Sequence, residues 1–378
     1  MALVVNRPCY VTREEVMRAM DIKAAAYNSG QVDRQLLAAS ESAESLCKRN
    51  FYVNYTTHSW DWPNFQYAYP WRLWLDQWEL AANPTAIISG PYLTTPVVIP
   101  VGDVLFQPVN QGPPFRWIEL RRDLNDAFGN NTTPQNDIQI TGPFGYWLNT
   151  FSVGSLSTAV TSTTQSTVQM SVGSGAGAGV GDTLIIGTEQ MIVQDANFVQ
   201  VDTTVSGLTS NPPSKSDVAI GVANGANYTT GETLIVDSEA MLIQFITGNT
   251  LTVQRAWDGS VLSPHAANAP IYAKRLLTVL RGQLGTTAAT YTQGTAVAAR
   301  LIPGLVKEYS LAVAMVGMIQ EPSGYTLGLG TSSSRTTTAY GGSGRSQQRE
   351  PIPGVGLAEL EDRLANSRYA RKVRKFVI

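Results

Sequence analysis

The chain has 378 residues, room for two or three domains, with 43% hydrophobic and only 15% charged residues and a formal net charge of −2. That balance excludes attachment to nucleic acid by overall charge; the missing charge is made up by Thr, Ser, Asn, Gln and Gly, which suits short strands, many turns and surfaces that meet other proteins. Two cysteines, Cys9 and Cys47, make no disulfide framework and are expected as buried free thiols.

The opening MALVVNRPCY has no charged segment followed by a long apolar run, so no signal peptide is expected and the product is expected to stay in the cytoplasm. Thr12-Arg13-Glu14-Glu15 reads as a capping box, and Val16, Met20, Ala24 and Tyr27 follow as one face of a helix. Asn28-Ser29-Gly30 breaks that helix. A second is predicted from Val32 to Lys48, with Val32, Leu36, Ala39, Ala43 and Leu46 on one stripe.

Residues 51 to 148 crowd Tyr and Trp together (Trp60, Trp62, Trp71, Trp74 and Trp78 among them) and then give alternating runs at 72–75, 86–89, 97–101, 115–120 and 137–141. Turn signals such as Asn83-Pro84, Gly90-Pro91 and Gly142-Pro143 separate the runs, which predicts a small antiparallel β-domain. The aromatics are expected in its core and in contacts between subunits; a sugar platform is the alternative.

From about Phe151 to Gly181 the chain is rich in Ser, Thr, Gly and Ala and reads as a linker or flexible loop. Its GSGAGAGVG leads into a strand rather than following one and opening a helix, so it lacks the geometry of a phosphate-cradling glycine loop. An internal repeat comes next. GDTLIIGTEQMIVQ from Gly181 recurs fifty residues on as GETLIVDSEAMLIQ from Gly231, and Leu251-Thr-Val253-Gln-Arg255 recurs as Leu277-Thr-Val279-Leu-Arg281. Units this short bury no face alone and must pack on one another in a small barrel or sandwich. Glu189 and Glu239 hold the same place in the two copies, where a structural turn carboxylate belongs.

Pro303 to Gln320 is apolar on nearly every side, which predicts a buried helix too short to span a bilayer. With the only other convincing helices at the start of the chain, the two ends are expected to fold together around a β-rich middle. Thr331 to Gln348 offers almost nothing to bury and is expected to be a loop that stays disordered until something orders it. After Pro351-Ile-Pro, Leu357, Leu360, Leu364 and Tyr369 share one side of an amphipathic segment. Arg363, Arg368, Arg371, Lys372, Arg374 and Lys375 make it basic, and Phe376-Val-Ile378 ends it. The pattern fits a docking arm that inserts into a partner's groove.

No motif for catalysis stands out. The histidines, His58 and His265, are far apart, and His265 occupies the repeat position filled by Tyr291 in the next copy, which points to packing. There is no HExxH, CxxC pair, Walker A loop or G-x-S-x-G. No enzyme activity, cofactor or metal is expected.

The helix pair TREEVMRAM…VDRQLLAASESAESLCKRNFY, the strands RWIEL…DIQITGPFGYW, the helix at 304–320 and the closing LAELEDRLANSRYARKVRKF resemble tailed-bacteriophage head-to-tail adaptor (connector) proteins. The likeness covers roughly residues 10–147 and 300–378, and the GDTLIV and LTV-x-R unit is similar to modules of phage virion proteins. It implies an α+β fold: a discontinuous helical bundle (1–50 with the closing helix and loop at 300–350), an aromatic-rich antiparallel β-domain (51–150), an inserted β-repeat barrel or sandwich (151–299) and a C-terminal docking arm (351–378). It further implies a homo-oligomeric ring, twelve-fold like the portal beneath which it sits in the virion neck, assembled in the host cytoplasm. DNA would pass through the lumen without sequence preference, and tail or neck proteins would meet the other side. In this reading Leu357, Leu360, Leu364 and Phe376 favour the portal over DNA as the arm's partner, and the repeat domain projects outward to decorate the neck or touch capsid or tail components. The alternatives are a tail-tube or baseplate component and a carbohydrate-binding surface protein.

Overall fold

Thr12 opens the first helix as its sequence requires. Its hydroxyl accepts from the Glu15 N–H and the Glu15 carboxylate accepts from the Thr12 N–H, both at 3.2 Å. In this computed structural model, which describes residues 5–20, 29–64, 69–131, 133–171, 177–206, 208, 214–320 and 355–371, α1 spans Arg13–Ala19 and is capped at Met20. Ala24, Tyr27 and Asn28 lie outside the described residues. Helix α2 (Ser29–Cys47) already includes Ser29 and Gly30, so these two belong to the second helix rather than to a break before it. Its stripe of Val32, Leu36, Ala39 and Ala43 is buried as the spacing predicts.

The aromatic-rich region folds into two small antiparallel sheets. Strands β1 (Asn54–Trp60), β2 (Arg72–Trp74), β3 (Ala86–Ser89), β4 (Val97–Ile99), β5 (Val104–Gln107), β6 (Trp117–Leu120) and β7 (Ile138–Phe144) give the orders β1-β7-β3-β4 and β2-β6-β5. Alternation puts Ile87, Ile118, Leu120, Ile138 and Ile140 into one core with Trp60 and Trp62. Buried Asp137 pins the loop before β7 by accepting from the Gly129 and Asn131 N–H groups at 2.9 and 2.8 Å.

The stretch expected as a linker contains β8 (Thr150–Ser155) and β9 (Thr167–Gln169). Its Ser and Thr residues face outward while Val153, Leu156, Val160, Val168 and Met170 are buried, so a few apolar side chains at sheet spacing suffice. Then come β10 (Thr183–Ile186), β11 (Glu189–Ser206), β12 (Ala219–Val222), β13 (Thr233–Val236), β14 (Glu239–Thr247), β15 (Thr250–Gln254), β16 (Pro270–Gln283) and β17 (Ala296–Arg300). The long strands β11 and β16 pair antiparallel from Gln190↔Gln283 to Thr203↔Pro270. One end of this pair closes a six-stranded barrel in the order β11-β12-β15-β14-β13-β16. The other end carries β10, β17, β8 and β9, and β8 meets β9 through a Leu156–Met170 bridge, so this half also curls back on itself.

The repeat is visible in the register. Leu184 faces Met191 across β10–β11 as Leu234 faces Met241 across β13–β14. Val193↔Val279 likewise corresponds to Ile243↔Val253. Gly248 at φ +57° and Asn249 form the two-residue hairpin between Thr247 and Thr250.

Helix α3 (Gly304–Gln320) returns to the start of the chain and packs along α2. Ala314 and Met318 join Val32, Leu36 and Ala39, whereas Val306 and Tyr309 join Ala43, Cys47 and Phe51. Burial is less complete than the apolar sequence predicts: Met315 and Val316 are half-buried and Ile319 is 54% exposed. Helix α4 (Val355–Ala365) packs against α2 and α3. The expected loop at 331–348 falls outside the described residues.

Polar links fix the helices to the β-repeat region. Arg13 grips Asp33 with two bonds of 2.8 Å and reaches Asp195 on β11 at 2.9 Å. Glu14 accepts from Lys274 on β16 at 3.0 Å and from the Val180 N–H at 2.8 Å. The glycines before β10 permit this approach: the Cys9 N–H donates to the Gly181 carbonyl, and a Cβ at Gly179 would collide with Thr12 and Glu14.

Candidate functional site

The repeat carboxylates are the first candidates for chemistry, and their surroundings exhaust their bonding capacity. Glu239 accepts from Arg255 at 2.8 and 2.7 Å, from the Ala256 and Ser263 N–H groups at 2.7 and 2.9 Å, and meets His265 Nε2 at 3.0 Å. Glu189 repeats this with Arg281 at 2.7 and 2.8 Å, the Gly282 and Ala289 N–H groups at 2.9 and 3.0 Å, and the Tyr291 hydroxyl at 3.1 Å. His265 and Tyr291 do the same work in the two copies. Burial raises the Glu239 carboxyl, but Arg255 and the N–H donors outweigh it and hold the group down at about 2. Both carboxylates staple a strand to its return loop and leave no lone pair for proton transfer.

A third pair breaks the equivalence. Arg275 binds Glu232 at 2.6 and 2.9 Å. The matching residue in the first copy, Asp182, is half-buried and accepts from the Gly179 N–H at 2.9 Å, with no arginine ion-paired to it among the described residues. Burial, reinforced by Glu15, pushes its carboxyl up to about 7.

The C-terminal segment spends its apolar side on its own chain. Leu364 is fully buried with Val306, Tyr309 and Cys47, and Leu357, Leu360 and Tyr369 pack against the same cluster. The Tyr309 hydroxyl donates to Glu361 at 3.3 Å, Tyr369 meets Tyr146 edge-on at 5.9 Å, and the Arg371 N–H donates to the Cys47 carbonyl at 2.8 Å. Arg363 and Arg368 stay exposed. Lys372, Arg374, Lys375 and Phe376 lie outside the described residues, so within 355–371 the apolar residues expected to grip a partner are occupied internally.

This strapped segment forms one wall of a groove of about 1320 Å³ whose other walls come from the end of α2, β1, β2 and the 76–79 turn. In the groove Arg49, with 2% of its side chain exposed, donates to Glu79 at 3.1 Å and lies 4.7 Å over the Tyr146 ring. Its Nε and Nη1 have no hydrogen-bond partner among the described residues. Arg116, 47% exposed, stands 3.4 Å from the same Glu79 oxygen. Arg371 adds a third guanidinium: burial and Arg116 push it down while Glu79 and Asp76 push it up, with a net lowering. Burial likewise lowers Arg49, with Arg116 and Arg371 adding to the effect. Aromatics line the rest. His58 stacks on Trp78 at 3.9 Å and Trp74 lies 4.4 Å from Trp117. Burial lowers the His58 imidazole, which favours its neutral form.

Trp60 and Trp62 are therefore core, as expected of the aromatic cluster, whereas Trp74 and Trp78 line the groove. Sequence reasoning missed this site because its residues come from six separated stretches; a cation beside an aromatic, as in Arg116-Trp117, was the available signal. Cys9 and Cys47 are buried free thiols, pushed up to about 12 and about 11 by burial. Among the described residues no group of three or more His, Cys, Asp or Glu converges on a metal position, and no helix is long and apolar enough to cross a membrane. The chain matches no family model, no curated protein and no solved structure.

Proposed function

We propose that the chain is a structural virion protein, a head-to-tail adaptor that forms a ring beneath the portal, joins capsid to tail and lets DNA pass. The observation that carries this reading is the packing of α3 on α2, which brings opposite ends of the chain together with the β-domain and the β-repeat region looped out between them. That is the organisation the resemblance calls for, with the four helices read as one discontinuous bundle. Half-exposed apolar side chains on α3, with Ile319 the most open, support self-association, because a neighbouring copy in a ring would cover them. The fully bonded Glu189 and Glu239 support a structural role over a catalytic one.

In this reading residues 355–371 secure the arm to its own chain, and Lys372, Arg374, Lys375 and Phe376 are left to meet the portal. The barrels project outward, and the lumen passes DNA without sequence preference. Negative-stain images of the purified chain test the reading. Single closed rings are expected; open-ended stacked tubes would favour a tail-tube component instead. Removing residues 372–378 is expected to leave the rings intact and abolish attachment to portals. Undiminished attachment would refute the docking role.

A further inference from the structure

The groove between the end of α2 and the β-domain has no part in the adaptor reading, yet it is built like a receptor. Three guanidinium groups, on Arg49, Arg116 and Arg371, converge on Glu79, with Asp76 nearby, so the cluster keeps one positive charge in excess. Two nitrogens of Arg49 are buried without hydrogen-bond partners among the described residues, and a buried donor left unpaired is costly. A buried unpaired guanidinium lining a groove is a donor that a ligand with an acceptor could satisfy. Beside the cluster the His58–Trp78 stack and the Trp74–Trp117 pair offer flat apolar faces, and Trp78 is 36% exposed.

We propose that this groove binds an acidic segment of a protein partner, with one Asp or Glu carboxylate seated among Arg116, Arg371 and Arg49 and an adjoining aromatic or aliphatic side chain laid on the His58–Trp78 stack. A carboxylate fits because the excess is a single charge gathered at one point, and a guanidinium fork matches a carboxylate edge in a bidentate pair. A nucleic-acid strand fits worse. Its phosphates need cations spaced along a track, whereas here Glu41, Glu44, Asp76 and Glu79 share the lining with the arginines. The proposal does not depend on ring formation.

The test is panning of a displayed random twelve-residue peptide library on the full chain, followed by fluorescence anisotropy of the enriched peptides. Enriched peptides are expected to carry Asp or Glu next to an aromatic or aliphatic residue. Changing that acid to its amide should weaken binding at least about tenfold, the scale of one charged hydrogen bond. Arg116→Ala and Trp78→Ala, both at partly exposed positions, should each weaken it similarly while leaving the thermal unfolding midpoint in place. Arg371→Ala provides a second removal from the cluster. Enriched peptides without acids, acidic peptides indifferent to all three variants, or displacement of every peptide by a dT20 oligonucleotide would overturn the proposal, the last in favour of single-stranded nucleic acid.

Discussion

Replacing Glu239 by Gln probes the barrel at its most constrained point. The side chains of Glu239 and Arg255 are 0% and 1% exposed, and the carboxylate also takes two backbone N–H groups and His265. Glutamine keeps the shape but turns an amide NH₂ toward donors that need an acceptor, and it leaves the Arg255 charge buried and unneutralised. Breaking a buried pair from one side costs about 3–5 kcal/mol. The loss has a pH signature. Glu239 is lowered from 4.5 to about 2, so the stability it contributes is fully present above pH about 4.5 and is lost as pH falls toward about 2. The assay is guanidinium unfolding followed by far-ultraviolet circular dichroism from pH 7 down to pH 2. Glu239→Gln should cost about 3–5 kcal/mol at pH 7 and flatten the acid limb. Glu189→Gln should cost nearly the same, because its partners are equivalent. Glu41→Gln, on a pair whose carboxylate side chain is 62% exposed, should cost less than about 1 kcal/mol. A Glu239→Gln cost as small as that of Glu41→Gln would show that the buried carboxylate does not hold the barrel together.

Gly285 sits at φ +74°, and a Cβ there would collide with the Tyr55 carbonyl where the β-domain meets the far end of β16, so Gly285→Ala should lower the unfolding midpoint more than Gly294→Ala, which has φ +82° but open space. Equal midpoints would show that this junction is not tight. Leu364→Ala should cost about 2–4 kcal/mol of α4 docking and strip α4 of hydrogen-exchange protection while α2 and α3 keep theirs; unchanged protection would contradict the burial seen. Asp182 is raised from 3.8 to about 7, so the folded state binds its proton more tightly than the unfolded chain and stability falls as pH rises through that interval. Asp182→Asn should remove that slope, and an unaltered pH profile of the thermal midpoint would count against it.

Much of the fold was legible where local chemistry and tertiary structure agree. Thr12 and Glu15 announce α1, the Val32 to Ala43 stripe announces α2, and the Leu184/Leu234 and Met191/Met241 correspondences announce the paired hairpins. Two kinds of feature were hidden. Strands β8 and β9 carry Ser and Thr where a strand signal needs apolar residues, and only closure of the sheet makes Val153 and Val168 buried. The length of β11 and β16 was hidden too, because each serves both halves of the barrel region, and β11 passes from a fully buried start to a largely exposed end without regular alternation. The apolar side of the C-terminal segment was read correctly as an amphipathic face, but sequence alone does not say whether a face is covered by its own chain or by another. The groove was illegible for a related reason: Arg49, Trp78, Arg116 and Arg371 come together only through the topology.

The proposed ring of chains, each closed on itself by α2 and α3 and docked on a portal, stands or falls on the native mass of the full chain, alone and mixed with portal. A discrete species at about twelve times the 40.8 kDa subunit mass is expected, and a heavier one when portal is present. A monomer that stays a monomer in the presence of portal would contradict it.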